Sequence, residues 1–338
     1  MIHFLTGGTG YLGGNLARRL SRDGHAVRAL ARKGSRVSGI ERLPGVTIVE
    51  GDLAAPEGFS SALRGCDGLF HVGAVVKEWV EDWSIFDRVN VDAPPRLFRL
   101  ARDAGVKKIV YTSSFFAIGP SDRGQGGVVD ETTTHEDGHW HNEYERTKAL
   151  ALPRVLETAR AGAPVVTVCP GMIYGPGEVT EGNFVVNLLV DVARGKLPGL
   201  PGDGSKMWSY VHVDDVVQGH LLAMEKGRPG EVYILGGDNV ALRDLFLEFE
   251  RLTGVRAPRR KLPFFLLKAV GAIEQALAVL GRRPNLTIGK VAINEHHWAY
   301  SSAKAERELG FAHRPFAEGL AQLAAWMREK GLVDAAAR

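Results

Sequence analysis

The segment Ile2-His3-Phe4-Leu5-Thr6-Gly7-Gly8-Thr9-Gly10-Tyr11-Leu12-Gly13 constrains the fold more than any other part of the chain. Residues 2–5 form an apolar run of strand length, and the glycines open a segment at 11–23 with helical periodicity. Between a strand and a helix each glycine has a mechanical task. Gly7 permits a tight turn, Gly10 lets backbone approach a pyrophosphate, and Gly13 lets helix and strand pack closely. The phosphates would sit on the helix N-terminus, whose unpaired N–H groups and dipole favour an anion. Thr9, Tyr11 and Leu12 belong to the same turn and count with it as candidate dinucleotide contacts. Glycine-rich turns also occur for purely structural reasons, so placement carries this reading, not the glycines alone.

Further strand-length runs at 26–31, 46–50, 68–72, 108–112 and 165–168 alternate with helix-length periodic segments at 94–104 and 143–161. That alternation predicts an α/β fold: a doubly wound parallel sheet, the Rossmann fold, covered by helices on both faces. Gly and Pro become dense from 170 to 204, as if the chain leaves the sheet there for a smaller C-terminal α+β substrate lobe. The expected division is 1–171 with 205–225 for the dinucleotide, and 172–204 with 226–338 for the substrate. Residues 209–224 read as strand plus helix, 231–235 as a short strand, and 242–253, 264–280, 303–309 and 316–330 as helices.

Composition narrows the function. A chain of 338 residues, 45% hydrophobic and 24% charged, buries a core without staples. Lys plus Arg number 42 against 39 Asp plus Glu; the formal charge of +3 is not clustered, so no nucleic-acid partner is expected. Cys66 and Cys169 lie far apart without metal-ligand spacing, which predicts neither a disulfide framework nor a zinc site and suits a reducing cytoplasm. The first residues show no basic and long apolar export pattern. Residues 262–280 are the most apolar later stretch but carry Lys268, Glu274 and Gln275. No spanning membrane segment is expected; the stretch reads as a buried or amphipathic helix, with docking on a membrane surface the lesser alternative.

Which dinucleotide is bound depends on the end of the second strand, Val27-Arg28-Ala29-Leu30-Ala31-Arg32-Lys33, where no acid awaits the ribose hydroxyls. A carboxylate would repel a 2′-phosphate and guanidinium groups bind one in a fork, so NADP(H) is preferred, with NAD(H) second. Arg32 is the leading candidate; Arg28 and Lys33 read equally well as solvated charges. Asp52, followed by Leu53, suits either the adenine amino group or a helix cap. Gly73 and Ala74, leading into Val75, are small where a cofactor must lie against backbone.

Tyr144 and Lys148 stand four residues apart, on one face of a predicted helix. Such a pair alone is usually a surface pair. Here a dinucleotide signal precedes it, and Ser113-Ser114 directly follows a predicted strand. Together they describe proton transfer coupled to hydride transfer: Lys148 and a positive nicotinamide would favour a tyrosinate, so that Tyr144 exchanges a proton near neutral pH. Ser114 would hydrogen-bond the substrate oxygen as its charge changes.

In these motifs the chain resembles the extended short-chain dehydrogenases/reductases, the NAD-dependent epimerase/dehydratase superfamily. The matching stretches are residues 6–13, Gly51-Asp52-Leu53, Tyr111-Thr112-Ser113-Ser114, residues 144–148, Pro170-Gly171-Met172-Ile173-Tyr174-Gly175-Pro176 and Tyr210-Val211-His212-Val213-Asp214-Asp215, in the family's order across essentially the whole chain. The resemblance implies that Ser114, Tyr144 and Lys148 are catalytic and that Lys148 also bonds the nicotinamide ribose. It places Thr112, Pro170, Gly171, Met172 and Ile173 along the cofactor. Asn90 would either touch it or anchor its helix. A homodimer through 96–103 and 143–160 is likewise implied. Within the family, dihydroflavonol reductases, 3β-hydroxysteroid dehydrogenases and hopanoid-associated sugar epimerases are most similar, the last in 211–223, 233–237 and 301–310.

Two departures bear on substrate. Where sugar-nucleotide epimerases of this family carry an arginine four residues before the histidine, this chain has Trp208, and Cys169 replaces another arginine before Pro170. With the cations at Arg28 and Arg32, these favour a reductase or dehydrogenase over a sugar-nucleotide epimerase or dehydratase. A non-catalytic nucleotide sensor is the third reading, disfavoured by the intact Ser114, Tyr144 and Lys148. Trp79, Trp83, Phe115, Phe116, Trp140, Met172, Phe184, Trp208 and Trp298 form a set suited to a ring-containing ketone or aldehyde, although singly each reads as core. Lys77, His141 and Asn183 join them as polar substrate candidates. His135, His139 and His141 invite a metal, but their spacing lacks the usual ligand geometry and none is expected.

Overall fold

The computed structural model describes residues 1–333 apart from 123, 125, 126, 136, 137, 181 and 279. From the N-terminus the elements are β1 (Ile2–Thr6), α1 (Tyr11–Arg22), β2 (Ala26–Ala31), β3 (Val46–Glu50), β4 (Gly68–His71), α2 (Ser84–Phe86), α3 (Ala93–Asp103), β5 (Lys108–Thr112), α4 (Glu143–Arg160) and β6 (Val165–Pro170). There follow β7 (Met172–Tyr174), α5 (Phe184–Ala193), β8 (Leu200–Pro201), β9 (Met207–His212), α6 (Val213–Lys226), β10 (Val232–Leu235), β11 (Asp238–Ala241) and α7 (Leu242–Thr253). The chain ends in β12 (Lys261–Leu262), α8 (Phe264–Ala278), α9 (Ile288–Ile293), α10 (Ala303–Leu309) and α11 (Phe316–Glu329).

Seven strands pair in parallel in the order β10-β6-β5-β4-β1-β2-β3. β4 and β6 are buried along their whole length, as continuous apolar strands of a sheet covered on both faces must be. One face packs on α1, α6 and α10, with Leu16, Leu20, Val216 and Leu309 in a common core. The other packs on α3 and α4 through Leu97, Phe98, Tyr111 and Val155. Strand order reverses between β1 and β4, which opens a crevice at their carboxyl ends.

The smaller lobe is built on a second sheet, β11-β9-β7, and on the pair β12-β8. Two expected boundaries move. β10, assigned to the lobe, is the edge strand of the large sheet beside β6, while β9, assigned to the dinucleotide part, pairs with β7 and β11. Short runs of four to six residues do not reveal which sheet will hold them; that depends on partners far away in sequence.

Candidate active site

The crevice between β1 and β4 is shaped by the glycines of the first turn. Gly10 N–H donates to Gly7 O at 2.9 Å, and Gly7 takes φ +75°. A Cβ on Gly7 would stand 2.6 Å from Gly73 N, and one on Gly13 only 2.1 Å from Gly7 O. On Gly10 the nearest atom would be 3.3 Å away. Gly7 and Gly13 therefore close the turn against the fold, while Gly10 leaves room above it. No side chain caps α1 at Gly10, so its first N–H groups are free for an anion. Thr6 Oγ1 accepts from Gly73 N–H at 3.1 Å and pairs with His71 Nδ1 at 2.9 Å, which knits the two strand ends together. Leu53 packs on Gly73. These cradling contacts fit a pyrophosphate.

Of the flanking candidates, Arg32 and Lys33 are exposed just beyond the end of β2. Arg28 is a correction: mid-strand, its Nη1 donates to Ala62 O and Arg64 O, both at 2.7 Å, so it ties down a neighbouring loop instead of awaiting a phosphate. The Tyr11 hydroxyl is buried and donates to Gly175 O at 2.9 Å, linking the turn to the smaller lobe, so only its backbone, at the start of α1, is left for the cofactor. Asp52 is exposed and its Oδ1 accepts from Ala54 N–H at 2.9 Å, a local turn and not the cap of a regular helix. Asn90 lies in a π-helical segment, Asp87–Asp92, between α2 and α3. Its amide accepts from Val75 N–H at 2.8 Å and donates to Val75 O at 2.9 Å and Thr147 Oγ1 at 3.1 Å, so it is an anchor joining the Val75 loop to α4.

The triad candidates come together from two elements. β5 delivers Thr112 and, one residue beyond its neighbour Ser113, Ser114. Helix α4 starts at Glu143 because Asn142 caps it, its side chain accepting from Glu145 N–H at 2.8 Å. The first turn and a half then carries Tyr144 and Lys148. Lys148 is 2% exposed, its Nζ donates to Thr112 O at 3.0 Å, and it stands 5.7 Å from the centroid of the Tyr144 ring. Burial lowers the Lys148 ammonium to about 8. Burial pushes the Tyr144 phenol up to about 12, while its hydrogen bond with Ser114 pulls the other way. Desolvation is the largest cause of that shift, and it runs against the depression expected from Lys148 and a positive nicotinamide. Thr112 Oγ1 pairs with His220 Nε2 at 2.8 Å, fixing the strand end that receives the lysine.

One residue beside the tyrosine escaped the sequence reading. Glu145 is wholly buried; burial would raise its carboxyl, but hydrogen bonds from His135 and His141 outweigh this and hold it below the usual range. His135 Nε2 and His141 Nδ1 both lie 2.9 Å from it, and His141 N–H donates to it at 2.8 Å. The i,i+4 spacing of His141 and Glu145 was the available signal. His141, expected at the substrate, is instead committed to organising the start of α4.

Aromatic candidates divide. Phe116 meets Tyr144 edge-on at 5.8 Å and Trp298 at 4.7 Å; Phe115 stacks beside Phe116 at 4.3 Å. Trp208 packs into this cluster 5.9 Å from Trp298; both indoles are buried, so they brace Phe115 and Phe116 from behind. Trp140 Nε1 and both amide atoms of Asn183 are buried with no hydrogen-bond partner among the described residues, which leaves polar groups available to a bound molecule. Lys77 and Trp79 line a cavity of about 410 Å³ that contains no triad side chain, and Trp83 stacks on Phe86. Phe184 lies under Lys290, and Met172 packs half-buried on the lobe core. Pro170 ends β6; Gly171 follows with Ser209 O only 2.5 Å from where its Cβ would be, and Ile173 is half-buried beyond. Cys169 is buried and its thiol is pushed up to about 12, which makes it inert.

A doubly wound sheet with a glycine cradle at its switch point, and a partly buried tyrosine with a buried serine and lysine beside it, defines a dinucleotide-dependent oxidoreductase. The chain belongs to the NAD dependent epimerase/dehydratase family, whose pattern matches residues 3–236. It is 33% identical to the "Putative dihydroflavonol 4-reductase" of Synechocystis sp., over 98% of this chain and 95% of the relative. The "Sterol demethylase protein B" of Methylococcus capsulatus is 32% identical, over 98% and 100%. The crystal structure of gox2253 superposes with a TM-score of 0.83 at 34% identity, covering 98% of this chain and 99% of that one.

Proposed function

We propose that this chain is an NADP(H)-dependent carbonyl reductase or alcohol dehydrogenase that interconverts a secondary alcohol and a ketone or aldehyde on an apolar, ring-containing molecule. The observation that carries it is the joint placement of Tyr144, Ser114 and Lys148 with Phe116 edge-on to Tyr144, backed by Phe115 and the buried Trp298. A bound nicotinamide supplies or accepts the hydride. In the reducing direction Tyr144 donates its phenolic proton to the carbonyl oxygen while Ser114 donates a hydrogen bond to the same atom, stabilising charge as it develops. Lys148, held by Thr112 O, provides the positive charge that offsets the tyrosinate left behind. We infer a role for Arg32 and Lys33 at the 2′-phosphate because they are exposed past the end of β2, which carries no acid of its own, and because Arg28 is otherwise engaged. The relatives described as "Putative dihydroflavonol 4-reductase" and "Sterol demethylase protein B" support an oxidoreductase acting on an apolar ring. Trp208, buried where a diphosphate-binding arginine would be, argues against a sugar nucleotide. A homodimer through α3 and α4 and a cytoplasmic setting belong to the same reading.

NADPH oxidation screened over aromatic, steroidal and aliphatic ketones and aldehydes tests this directly. Tyr144→Phe is expected to lower kcat/KM by roughly 10²–10⁴-fold with NADPH affinity retained. Arg32→Ala is expected to erase a preference for NADPH over NADH that Arg28→Ala leaves intact; equal affinities for both cofactors in the wild-type protein would refute the cofactor assignment. Tight binding of a UDP- or dTDP-sugar in calorimetry would overturn the substrate class.

A further inference from the structure

Helix α8 is turned inside out relative to an ordinary surface helix. Its polar side chains face the protein: Lys268 Nζ pairs with Glu295 at 2.6 Å, Glu274 accepts from Leu286 N–H at 3.1 Å, and Gln275 Oε1 accepts from Ile288 N–H at 2.8 Å. Gly271 is its sole buried residue, with Ile288 N 3.1 Å from where a Cβ would stand. Its large apolar side chains face outward. Phe265 is 70% exposed and Ile273 61%, with Leu266, Val270, Leu277 and, just beyond, Leu280 alongside. At 100° per residue these fall on one broad stripe that carries no charge. Exposing such a stripe is unfavourable unless something covers it.

The ends of the stripe say what that is. Arg256, Arg260 and Lys261 are exposed before the helix, beside Arg259, which pairs with Glu250 at 3.0 Å, and Arg282 and Arg283 are exposed after it. Both ends are therefore basic. If two copies paired through this face, parallel or antiparallel, cations would be brought against cations at each end. An anionic lipid surface compensates both ends at once while its acyl boundary takes up the stripe. Fifteen residues span about 22 Å, short of the roughly 30 Å hydrocarbon core, so the helix would lie in the surface and not cross it. No helix among the described residues is long and apolar enough to cross a membrane.

We propose that α8 is an in-plane anchor that seats this chain on an anionic membrane surface. The anchor stands next to the active site. Thr287 and Ile288 pack on Gly271, and a Cβ on Gly289 would stand 2.7 Å from the carbonyl of His141, which precedes Tyr144 by three residues. An apolar molecule leaving the bilayer at α8 is thus one layer of structure from the catalytic helix. The anchoring itself is independent of which carbonyl compound is turned over, so its test needs no substrate.

The full chain is sedimented with vesicles of phosphatidylcholine alone and with vesicles containing about a third phosphatidylglycerol. Binding is expected to rise about tenfold or more on the charged vesicles and to fall back when salt screens the cations. Ile273→Ser combined with Leu277→Ser is expected to abolish it with thermal midpoint and NADPH affinity unchanged. Wild-type protein that ignores charged vesicles, or a double variant that binds them as well as wild type, would overturn the proposal. So would a concentration-dependent oligomer that the double variant dissolves, which assigns the stripe to a second copy of the chain.

Discussion

At the scale of single residues, burial decides the chemistry of the active site. Lys148 is held inside the protein by one backbone carbonyl, and its pKa falls from 10.5 to about 8. Between pH 8 and 10.5 the folded protein therefore holds fewer protons than the unfolded chain, and stability rises with pH through that window. Below pH 8 the full penalty of burying the ammonium is present. Lys148→Met removes it, and is expected to raise the free energy of unfolding at pH 7 by on the order of 1–3 kcal/mol while abolishing turnover. Urea denaturation of the two proteins at pH 7 and pH 10 checks this; a less stable variant at pH 7 would refute the account. Arg28 makes the opposite point about legibility. In sequence it reads equally well as a solvated charge or a phosphate ligand, yet mid-strand its side chain is captured by the carbonyls of Ala62 and Arg64. Strand position is local information, whereas the loop that captures it lies more than 30 residues away.

At the scale of elements, the glycine turn illustrates how spacing becomes mechanics. Gly13 has no room for a methyl group beside Gly7 O, whereas Gly10 has a contact only slightly too close. Gly13→Ala is accordingly expected to cost about 1–3 kcal/mol of stability by overpacking. Gly10→Ala should leave stability within about 1 kcal/mol yet weaken NADPH binding, because its methyl projects where the phosphates approach. Thermal melts and NADPH titrations of both variants separate the two effects; equal destabilisation would contradict the geometry. The strand–helix alternation was readable because each buried parallel strand is a continuous apolar run. The π-helical segment around Asn90 was not, since its extra residue per turn is held by hydrogen bonds to Val75 and Thr147, which only folding brings near. Helix α8 was legible as a helix, but its inverted orientation depends on where Glu295, Leu286 and Ile288 come to rest.

For the whole molecule, three histidines buried in or against the large sheet set the response to acid. Burial lowers His3 to about 4, His71 to about 3 and His220 to about 4, against an ordinary value of 6.5. In each the folded value is depressed, so the unfolded chain takes up protons first. The stability they contribute is complete above pH 6.5 and is lost as pH falls toward 4, with a slope reaching on the order of 4 kcal/mol per pH unit if all three act together. The midpoint of urea unfolding is expected to drop from pH 6.5 downward, before most carboxylates titrate. A midpoint unchanged to pH 5 would show that these rings are not held neutral by the fold.

The amino-acid order alone determined the doubly wound sheet and the glycine cradle at its first turn, because each is written in spacings of a few residues, and it pointed to Ser114, Tyr144 and Lys148 through their motifs. Tertiary structure decided that Arg28 is captured while Arg32 and Lys33 stay exposed, that Trp208 and Trp298 are buried behind Phe115 and Phe116, and that β10 closes the large sheet. It also decided that Glu145 grips two histidines beside the tyrosine and that α8 turns its apolar face outward. These outcomes depend on desolvation and on partners distant along the chain, and neither quantity exists until the chain has folded.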